Sequence, residues 1–281
     1  MRCAVLGSPI SHSLSPVLHR AAYAELGLDW TYDPVVVETD GLGDFLASLG
    51  GEWRGLSLTM PLKRIVVPML DSLDPWVRTS GVANTVLLGD ERRLGFNTDI
   101  PGAKAALVER TQHPLDSAVV LGGGATATSV LLALVELGCS RVELLVRDPA
   151  RAVETVAVVR SQARAPEVTV SRIDEADGLA ADVVVSTIPA HAQSPVLLAA
   201  CASVPVVFDV VYDPWPTPLA QAALDSGRDL VAGLDLLAHQ AVIQVQLMAG
   251  GSVTADLLRE AGRAELERRA VQNAADRGSV S

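Results

Sequence analysis

Residues 117–127 read SAVVLGGGATA, an apolar stretch followed by three consecutive glycines and three small residues. The apolar part is typical of a buried strand, and residues 126–137 have the composition of a helix. Gly122, Gly124 and Ala127 have the spacing G-x-G-x-x-A, which combines a tight turn, close backbone approach to a pyrophosphate and close helix–strand packing. Because helix N-termini bind phosphate through their amides, we interpret the stretch as a dinucleotide-binding turn rather than an ordinary glycine-rich loop. The contacts expected there come from Gly122, Gly123, Gly124, Ala125 and Thr126.

The next predicted strand, RVELLVR, carries the residues expected to select the cofactor. It ends at Arg147, and Arg151 follows four residues later. An acidic residue at this place binds the ribose 2′-hydroxyl of NAD, whereas arginines suit the 2′-phosphate of NADP because a guanidinium binds phosphate as a fork. The two arginines therefore favour NADP. Asp148 keeps NAD as the alternative cofactor, because its carboxylate suits a ribose hydroxyl. The other interpretation of the two arginines is that they are ordinary solvated surface residues.

Strands and helices alternate on both sides of the glycine-rich stretch. Beyond it, the apolar runs EVTVSRI, ADVVVSTIP, VPVVFDVVY and DLVAG are separated by helical segments, a rhythm that predicts a doubly wound parallel sheet. Before it, CAVLG, TYDPVVV and RGLSLTM alternate with helices, and ANTVLL with RRLGFNTD predicts a hairpin around Gly89 and Asp90. The fold class is α/β, with two α/β domains. Near the C-terminus, TADLLREAGRAELERRAV predicts an amphipathic helix with a solvated charged face.

Composition limits the partners and the location of the protein. The chain has 281 residues, 49% of them hydrophobic, which is enough for two domains with real cores. A net charge of −11 argues against non-specific nucleic-acid binding. No signal-peptide pattern is present, and Pro205 and Asp209 interrupt the longest apolar run, so no membrane span is predicted. The three distant cysteines predict neither a disulfide framework nor a metal site, and we expect a soluble cytoplasmic protein.

Polar residues in the first hundred positions follow or precede several of the predicted strands. Each has an ordinary explanation by itself: Ser15 followed by Pro16 is typical of a helix start, and Asp99 of a helix cap. Serines two residues apart in an extended segment also point the same way and can bind one group. The residues in question are Ser13, Ser15, Thr59, Lys63, Asn84 and Asp99.

Taken together and in order, these stretches resemble the shikimate dehydrogenase family, which includes quinate-using relatives. The resemblance rests on SLSP, LTMPLK, ANT, NTDIPG, DVVYDPWPTPL and GLDLLAHQA, in addition to the glycine-rich stretch. It covers residues 7 to about 250. It implies an oxidoreductase that uses NADP to reduce 3-dehydroshikimate reversibly to shikimate, in chorismate and aromatic amino-acid biosynthesis.

The resemblance also implies roles for individual residues. Lys63 and Asp99 match the family's catalytic pair. Ketone reduction places negative charge on the carbonyl oxygen, and an ammonium group can stabilise that charge and deliver a proton. The implied substrate contacts are Ser13, Ser15, Thr59, Lys63, Asn84, Asp99, Tyr212 and Gln240. On the cofactor side the resemblance adds Thr187 and Gly233 to Arg147, Arg151 and the glycine-rich stretch.

The same resemblance implies the domain organisation and leaves rival functions open. Residues 1–101 and 237–272 would bind substrate, residues 102–236 would form a Rossmann-type NADP domain, and 273–281 would be a frayed tail. Ser57 stands where the family usually has asparagine, which leaves shikimate and quinate as alternative substrates. The rivals are a quinate/shikimate dehydrogenase using NAD and a non-catalytic, cofactor-binding regulator. We expect a small-molecule substrate, no metal, and a monomer or homodimer.

Overall fold

The chain folds into two α/β units that alternate along the sequence. The computed structural model describes residues 1–278, and side chains as far as 272. Unit 1 comprises Met1–Ser72, Ala83–Phe96 and Ala241–Ser281, and unit 2 comprises Leu73–Val82 and Asn97–Gln240. Of the tail predicted to fray, residues 273–278 belong to the last helix, and residues 279–281 lie outside the described residues.

Twelve strands and eleven α-helices form the described part of the chain. The strands are β1 (Arg2–Gly7), β2 (Thr31–Val36), β3 (Trp53–Leu58), β4 (Ser72–Leu73), β5 (Thr85–Gly89), β6 (Arg92–Phe96), β7 (Ser117–Leu121), β8 (Arg141–Val146), β9 (Glu167–Arg172), β10 (Val183–Ser186), β11 (Val206–Asp209) and β12 (Asp229–Ala232). The helices are α1 (Ser15–Glu25), α2 (Leu42–Ala47), α3 (Leu62–Ile65), α4 (Pro75–Ser80), α5 (Asp99–Arg110), α6 (Ala125–Glu136), α7 (Val153–Arg160), α8 (Pro195–Ala200), α9 (Pro218–Ser226), α10 (Gly233–Ala249) and α11 (Ala255–Gly278).

The sheet of unit 1 is mixed, with the strand order β2-β1-β3-β5-β6-β4. The first three strands pair in parallel, whereas β5 runs antiparallel to both β3 and β6. The predicted hairpin is confirmed: β5 and β6 are joined by Asp90 and Glu91, whose φ angles of 49° and 57° are typical of a two-residue turn that matches strand twist. Because of these strand directions, the carboxyl ends of β1 and β3 and the amino end of β5 lie at the same edge of the sheet. The polar residues that follow or precede these strands therefore lie at that edge.

The sheet of unit 2 is entirely parallel, with the order β12-β11-β10-β7-β8-β9. This is the doubly wound order, in which the chain turns back at the junction of β7 and β10. The central strands β7, β10 and β11 are buried along their whole length because both of their faces are covered. Val183, Val184 and Val185 of β10 are all fully buried, with alternate residues in different core clusters. The predicted α/β class and doubly wound parallel sheet are confirmed.

Helix α10 is shared by the two units along the sequence. Gly233–Gln240 counts with unit 2 and Ala241–Ala249 with unit 1. In unit 1, Met248 of this helix joins Cys3, Tyr23 and Tyr32 in a buried cluster. Within residues 1–278, none of the helices combines the length and the apolar character that a membrane crossing requires.

Candidate active site

Unit 2 contains a cavity of about 410 Å³ where β7, β8 and β10 end. This is the edge at which doubly wound sheets bind ligands. Of the nine predicted cofactor residues, six line the cavity: Gly122, Gly123, Gly124, Arg147, Arg151 and Thr187. Ala125 and Thr126 form the first turn of α6, directly after the glycines. Gly233 is the first residue of α10 and is not one of the described residues that line this cavity.

The glycine turn, residues 122–126, has a different requirement at each of its three glycines. Gly122 has φ +103°, and a Cβ atom there would collide with Oγ1 of Thr187. A Cβ atom on Gly123 would lie 3.2 Å from Ala152. A Cβ atom on Gly124 would meet no described protein atom within 4 Å, and the residue is exposed at the cavity. The first two glycines serve the fold, whereas the third leaves room for a ligand to approach the backbone.

Two threonines that the sequence analysis missed hold the glycine turn from behind. The Thr155 hydroxyl donates to the carbonyl oxygen of Gly123 at 2.8 Å. The Thr128 hydroxyl lies 2.7 Å from that of Thr155 and also bonds the carbonyl oxygen of Gly124 at 3.2 Å. Both carbonyl groups therefore face threonines of the protein, while the first-turn amides of α6 are placed to bind a phosphate. Thr128 lies two residues past the turn, but nothing in the sequence singles out Thr155.

Arg147, Asp148 and Arg151 are exposed and line the cavity together. The Asp148 carboxylate accepts the Ala150 N–H at 3.0 Å and caps the short 3₁₀ helix Pro149–Ala152. One oxygen of the possible ribose acceptor is thus used within its own loop. Two arginines that line the same cavity match a phosphate more closely than a ribose hydroxyl.

Tyr212 follows a buried polar network at the end of β11. Asp209 is fully buried, and its Oδ2 accepts the Thr217 hydroxyl at 2.6 Å and the Gln193 amide at 2.7 Å. Burial raises the pKa of Asp209, and the hydrogen bonds from Thr217, from the Val211 N–H and from Gln193 oppose this increase. The network fixes the backbone of the loop that carries Tyr212, which is half-buried.

Asp99 is the first residue of α5 and is 5% exposed. A carboxylate in the first turn interacts favourably with the helix dipole. Its N–H donates to Oδ1 of Asn97 at 3.1 Å, and Nδ2 of Asn97 donates to the hydroxyls of Ser80 and Ser129, also at 3.1 Å. Asn97 therefore fixes the start of the helix that carries Asp99. The sequence analysis quoted the NTD motif without assigning this role to its asparagine.

Gln240 lies against the same helix within unit 2. Its Nε2 donates to the Leu237 carbonyl at 2.8 Å, and its Oε1 accepts the Thr98 hydroxyl at 3.4 Å. A Cβ atom on Gly102 would lie 2.9 Å from the Gln240 backbone nitrogen, so glycine permits this close approach. The structure thus brings Gln240 and the first turn of α5 together. Glycine at position 233 also permits a close backbone approach, because a Cβ atom there would collide with the Val210 carbonyl.

In unit 1, five predicted substrate residues belong to segments that meet at one edge of the sheet. The Thr59 N–H donates to the Leu6 carbonyl at 2.9 Å, which joins the end of β3 to β1. The Ala83 N–H donates to the Lys63 carbonyl at 2.8 Å, which joins α3 to the start of β5. We call this set the polar edge; it consists of Ser13, Ser15, Thr59, Lys63 and Asn84.

The two serines of the polar edge differ from the simple expectation of a helix cap. Leu14 occupies the cap position of α1, Ser15 is already helical, and no described side chain caps this helix. Ser13 Oγ instead accepts the Ser15 N–H at 3.3 Å. The helix start expected at Ser15 and Pro16 is observed, with Ser15 as the first helical residue and not as the cap. With its oxygen accepting from Ser15, the Ser13 hydroxyl can donate its proton to an acceptor such as a carboxylate.

A residue outside the predicted set orients Asn84. Asn84 is 2% exposed, and its Oδ1 accepts the Thr85 hydroxyl at 2.9 Å. The Thr85 oxygen in turn accepts Nε2 of Gln244 at 2.8 Å. These two bonds fix which side of the Asn84 amide is oxygen. Gln244 lies 160 positions from Asn84, and nothing in the sequence singles out its role.

Gln244 is itself held by buried polar groups. Its Oε1 accepts the Ser57 hydroxyl at 2.9 Å and lies 3.0 Å from Nε2 of His19, while the Tyr32 hydroxyl donates to Ser57 at 2.5 Å. Serine at position 57, the departure from the usual asparagine, is therefore fully used in this network. Burial lowers the pKa of His19 to about 4, although the hydrogen bond with Gln244 raises it slightly. Burial also disfavours the charged form of Tyr32, and this raises the pKa of that hydroxyl.

Comparison with known proteins gives the family. A profile of the shikimate dehydrogenase substrate binding domain matches residues 5–86. The shikimate dehydrogenase (NADP(+)) of Moorella thermoacetica is 33% identical over 261 residues, covering 88% of this chain and 87% of that protein. Thermus thermophilus shikimate 5-dehydrogenase, solved in complex with NADP(H) and shikimate, superimposes with a TM-score of 0.82 at 31% identity and covers 94% of this chain and 99% of its own.

Quinate dehydrogenase from Corynebacterium glutamicum, solved in complex with NAD, has a TM-score of 0.85 at 27% identity, with coverage of 94% and 99%. The fold therefore does not by itself distinguish the two activities. The sequence match to the Moorella enzyme, at 33% identity over most of both chains, shows more than a shared fold. This chain belongs to the shikimate dehydrogenase family.

Proposed function

We propose that this protein is an NADP-dependent shikimate dehydrogenase that reversibly reduces 3-dehydroshikimate to shikimate. The observation that carries the proposal is the cavity of unit 2, which is lined by the open side of Gly124 and by Arg147 and Arg151. These residues fit NADP: a backbone that a pyrophosphate can approach, and two guanidinium groups for a 2′-phosphate. When bound, the nicotinamide supplies the hydride. The relatives named for this activity support the same assignment.

Within unit 2, each predicted cofactor residue has a proposed task. The glycine turn and the first-turn amides of α6 bind the pyrophosphate. Thr187 lines the cavity, but its hydroxyl donates to the Leu121 carbonyl at 2.8 Å. It therefore shapes the cavity wall rather than donating to the cofactor. Gly233 is proposed to lie on the nicotinamide side, as the family resemblance implies.

Lys63 and Asp99 are proposed as the catalytic pair. As a ketone is reduced, charge develops on its oxygen, and the Lys63 ammonium stabilises that charge and donates a proton to it. Asp99, whose helix start is fixed by Asn97, is proposed to orient the reacting hydroxyl. Ser13 and Ser15 bind the substrate carboxylate, and Thr59, Asn84 and Gln240 bind ring hydroxyls. Tyr212 contacts the carboxylate end.

The proposal extends to organisation and location. Unit 1 is proposed as the substrate domain and unit 2 as the NADP domain. The protein is proposed to act in the cytoplasm as a monomer or homodimer, with no nucleic-acid partner. The three cysteines are buried and free of disulfides, which suits a reducing compartment.

Steady-state turnover with shikimate and with quinate, each with NADP and with NAD, tests the proposal. We expect shikimate with NADP to give the highest kcat/KM. Quinate with NAD is the rival that the Corynebacterium enzyme and Asp148 support. A higher kcat/KM for that pair would replace the proposed substrate and cofactor. Tight NADP binding without turnover of either substrate would leave the regulator as the function.

A further inference from the structure

Helix α11 reaches the loop that carries the two serines of the polar edge. It packs along α1 within unit 1, and it lies beyond the motifs that carry the family resemblance. The sequence analysis interpreted its charged residues as a solvated face. Most of those with described side chains are exposed, but Arg259 is buried, and Arg269 and Glu265 are only 23% and 15% exposed at their side chains.

Arg269 spans two consecutive carbonyl groups of this loop. Its Nη1 donates to the His12 carbonyl at 3.0 Å and its Nη2 to the Ser13 carbonyl at 3.4 Å. Its Nε donates to Oε1 of Glu265 at 2.7 Å. All three nitrogens of the guanidinium are therefore used, and its rigid planar fork suits two adjacent acceptors in a way that an ammonium group does not.

Glu265 fixes the guanidinium from the other side. It accepts from both Arg268 and Arg269, and these hydrogen bonds lower its pKa to about 2. The carboxylate is therefore charged at any pH at which the protein is assayed. A charged partner one helical turn away from Arg269 limits the positions that its long side chain can adopt.

The remaining polar groups of the loop explain why its backbone must be fixed. The Ser13 N–H donates to the Ile10 carbonyl at 3.0 Å, and Ser13 Oγ accepts the Ser15 N–H. With both carbonyl groups bonded to Arg269, the backbone of the loop is constrained, and with it the position of the Ser13 hydroxyl. Carbonyl oxygens turned toward a bound carboxylate would repel it.

We propose that Arg269, held by Glu265, is a positioning residue that fixes residues 12–15 for binding of the substrate carboxylate. This inference rests on the proposed function for the identity of the ligand. Arg269 acts through the backbone of the loop and does not contact the reacting atoms.

The matched control for Arg269 is its neighbour. Arg268 also donates to Glu265, at 2.7 Å, but its side chain is 61% exposed and its hydrogen-bond partners Glu265 and Gln272 both belong to α11. We compare the full-length chain with the variants Arg269→Ala, Arg269→Lys and Arg268→Ala. For Arg269→Ala we expect the KM for shikimate to rise about tenfold, because charge-assisted hydrogen bonds are lost. The kcat and the KM for NADP should change less than twofold. Arg269→Lys should restore part of the loss, and Arg268→Ala should resemble the unmodified chain.

Hydrogen exchange gives a second readout that does not depend on activity. In the full-length Arg269→Ala variant, peptides covering residues 10–18 should exchange faster than in the Arg268→Ala variant. Equal exchange and equal KM in the two variants would overturn the inference. Faster exchange with an unchanged KM would also overturn it, since the loop would then be held for stability alone. An unmodified chain that does not turn over shikimate would instead contradict the proposed function.

Discussion

The glycine turn of unit 2 and the polar edge of unit 1 are proposed binding surfaces that are built in two different ways. The glycine turn is one contiguous stretch whose proposed binding groups belong to the backbone. The polar edge collects side chains from three separate stretches of chain, brought together because the strands they adjoin end or begin at one side of the sheet. Substitutions that add side-chain atoms should therefore disrupt the glycine turn, whereas substitutions that remove side-chain atoms should disrupt the polar edge.

The two regions also differ in what stands behind them. Thr128 and Thr155 hold the turn through its own carbonyl oxygens, and both are within 32 positions of the groups they bind. Behind the polar edge, Gln244 and Arg269 act from 160 or more positions away in the sequence. A surface made of side chains therefore depends on distant residues far more than one made of backbone.

Removing the Lys63 ammonium should have the largest effect, because it is the one group of the polar edge proposed to act on the reacting oxygen. In Lys63→Ala we expect kcat to fall by about 10³-fold, from lost proton transfer and charge stabilisation. The dissociation constant for NADP should be unchanged, since the glycine turn is intact. Lys104→Ala is the control, because the Lys104 side chain is 44% exposed and its Nζ pairs with Oε2 of Glu136 at 3.8 Å. A kcat in Lys63→Ala within tenfold of the unmodified enzyme would refute the catalytic assignment.

Adding one methyl group at Gly122 should weaken NADP binding next most strongly. Gly122 and Gly138 have almost equal φ angles, +103° and +100°, but only at Gly122 would a Cβ atom meet a described side chain, that of Thr187. Alanine at either site costs about 1–2 kcal/mol of unfolding free energy through backbone strain. In Gly122→Ala we expect an additional loss of about 100-fold in NADP affinity, since the turn must shift to relieve the collision.

Titration calorimetry with NADP and urea unfolding of both glycine variants separate strain from collision. Gly138→Ala should lose stability and keep its NADP affinity. The same loss of NADP affinity in both variants would show that stability, and not the shape of the turn, controls binding.

The glycine turn and the polar edge also differ in how much of each could be predicted from the sequence. The turn, the doubly wound sheet and the hairpin at Asp90 were predictable because each depends on neighbouring residues with known backbone requirements. The residues of the polar edge were predictable only as a family resemblance, because nothing local shows that Ser13, Thr59 and Asn84 approach one another. Their supports could not be predicted, since packing of distant segments decides which glutamine or arginine reaches them.

Removing Gln244 should disturb the polar edge while leaving the glycine turn unchanged. In Gln244→Leu, the hydroxyls of Ser57 and Thr85 and the ring of His19 lose a buried partner. We expect a loss of about 2–4 kcal/mol in unfolding free energy. The KM for shikimate should rise several-fold because the Asn84 amide loses its fixed orientation, and NADP affinity should not change. Gln246→Leu, on an exposed position of the same helix, is the control for both measurements.

An equal rise in the KM for shikimate in Gln244→Leu and Gln246→Leu would show that Asn84 is oriented without Gln244. A parallel loss of NADP affinity in the former would show that the two regions are not supported independently. Either result would contradict the conclusion that distant residues support the polar edge independently of the glycine turn.

The smallest effect expected is a pH dependence that His19 gives to unfolding. Gln244 Oε1 accepts the Ser57 proton, so Nε2 of His19 is the donor in their bond and Nδ1 is a buried nitrogen with no described partner. Protonation would place a charge there, which is why the pKa falls from 6.5 to about 4. Between these values the unfolded chain binds more protons than the folded one, so stability is complete above pH 6.5 and falls as the pH decreases toward 4.

Lowering the pH from 7.5 to 5 should therefore reduce the unfolding free energy by about 2 kcal/mol through this residue alone. Urea unfolding of His19→Gln, which cannot titrate, should lack that part of the pH dependence. His113→Gln should keep it, because the His113 side chain is 51% exposed. Since His19 lies behind the polar edge and not the glycine turn, the NADP affinity of His19→Gln should match that of the unmodified chain. Identical pH dependence in all three proteins would mean that the buried network tolerates a charge, and that the polar edge is less strictly held than its hydrogen bonds indicate.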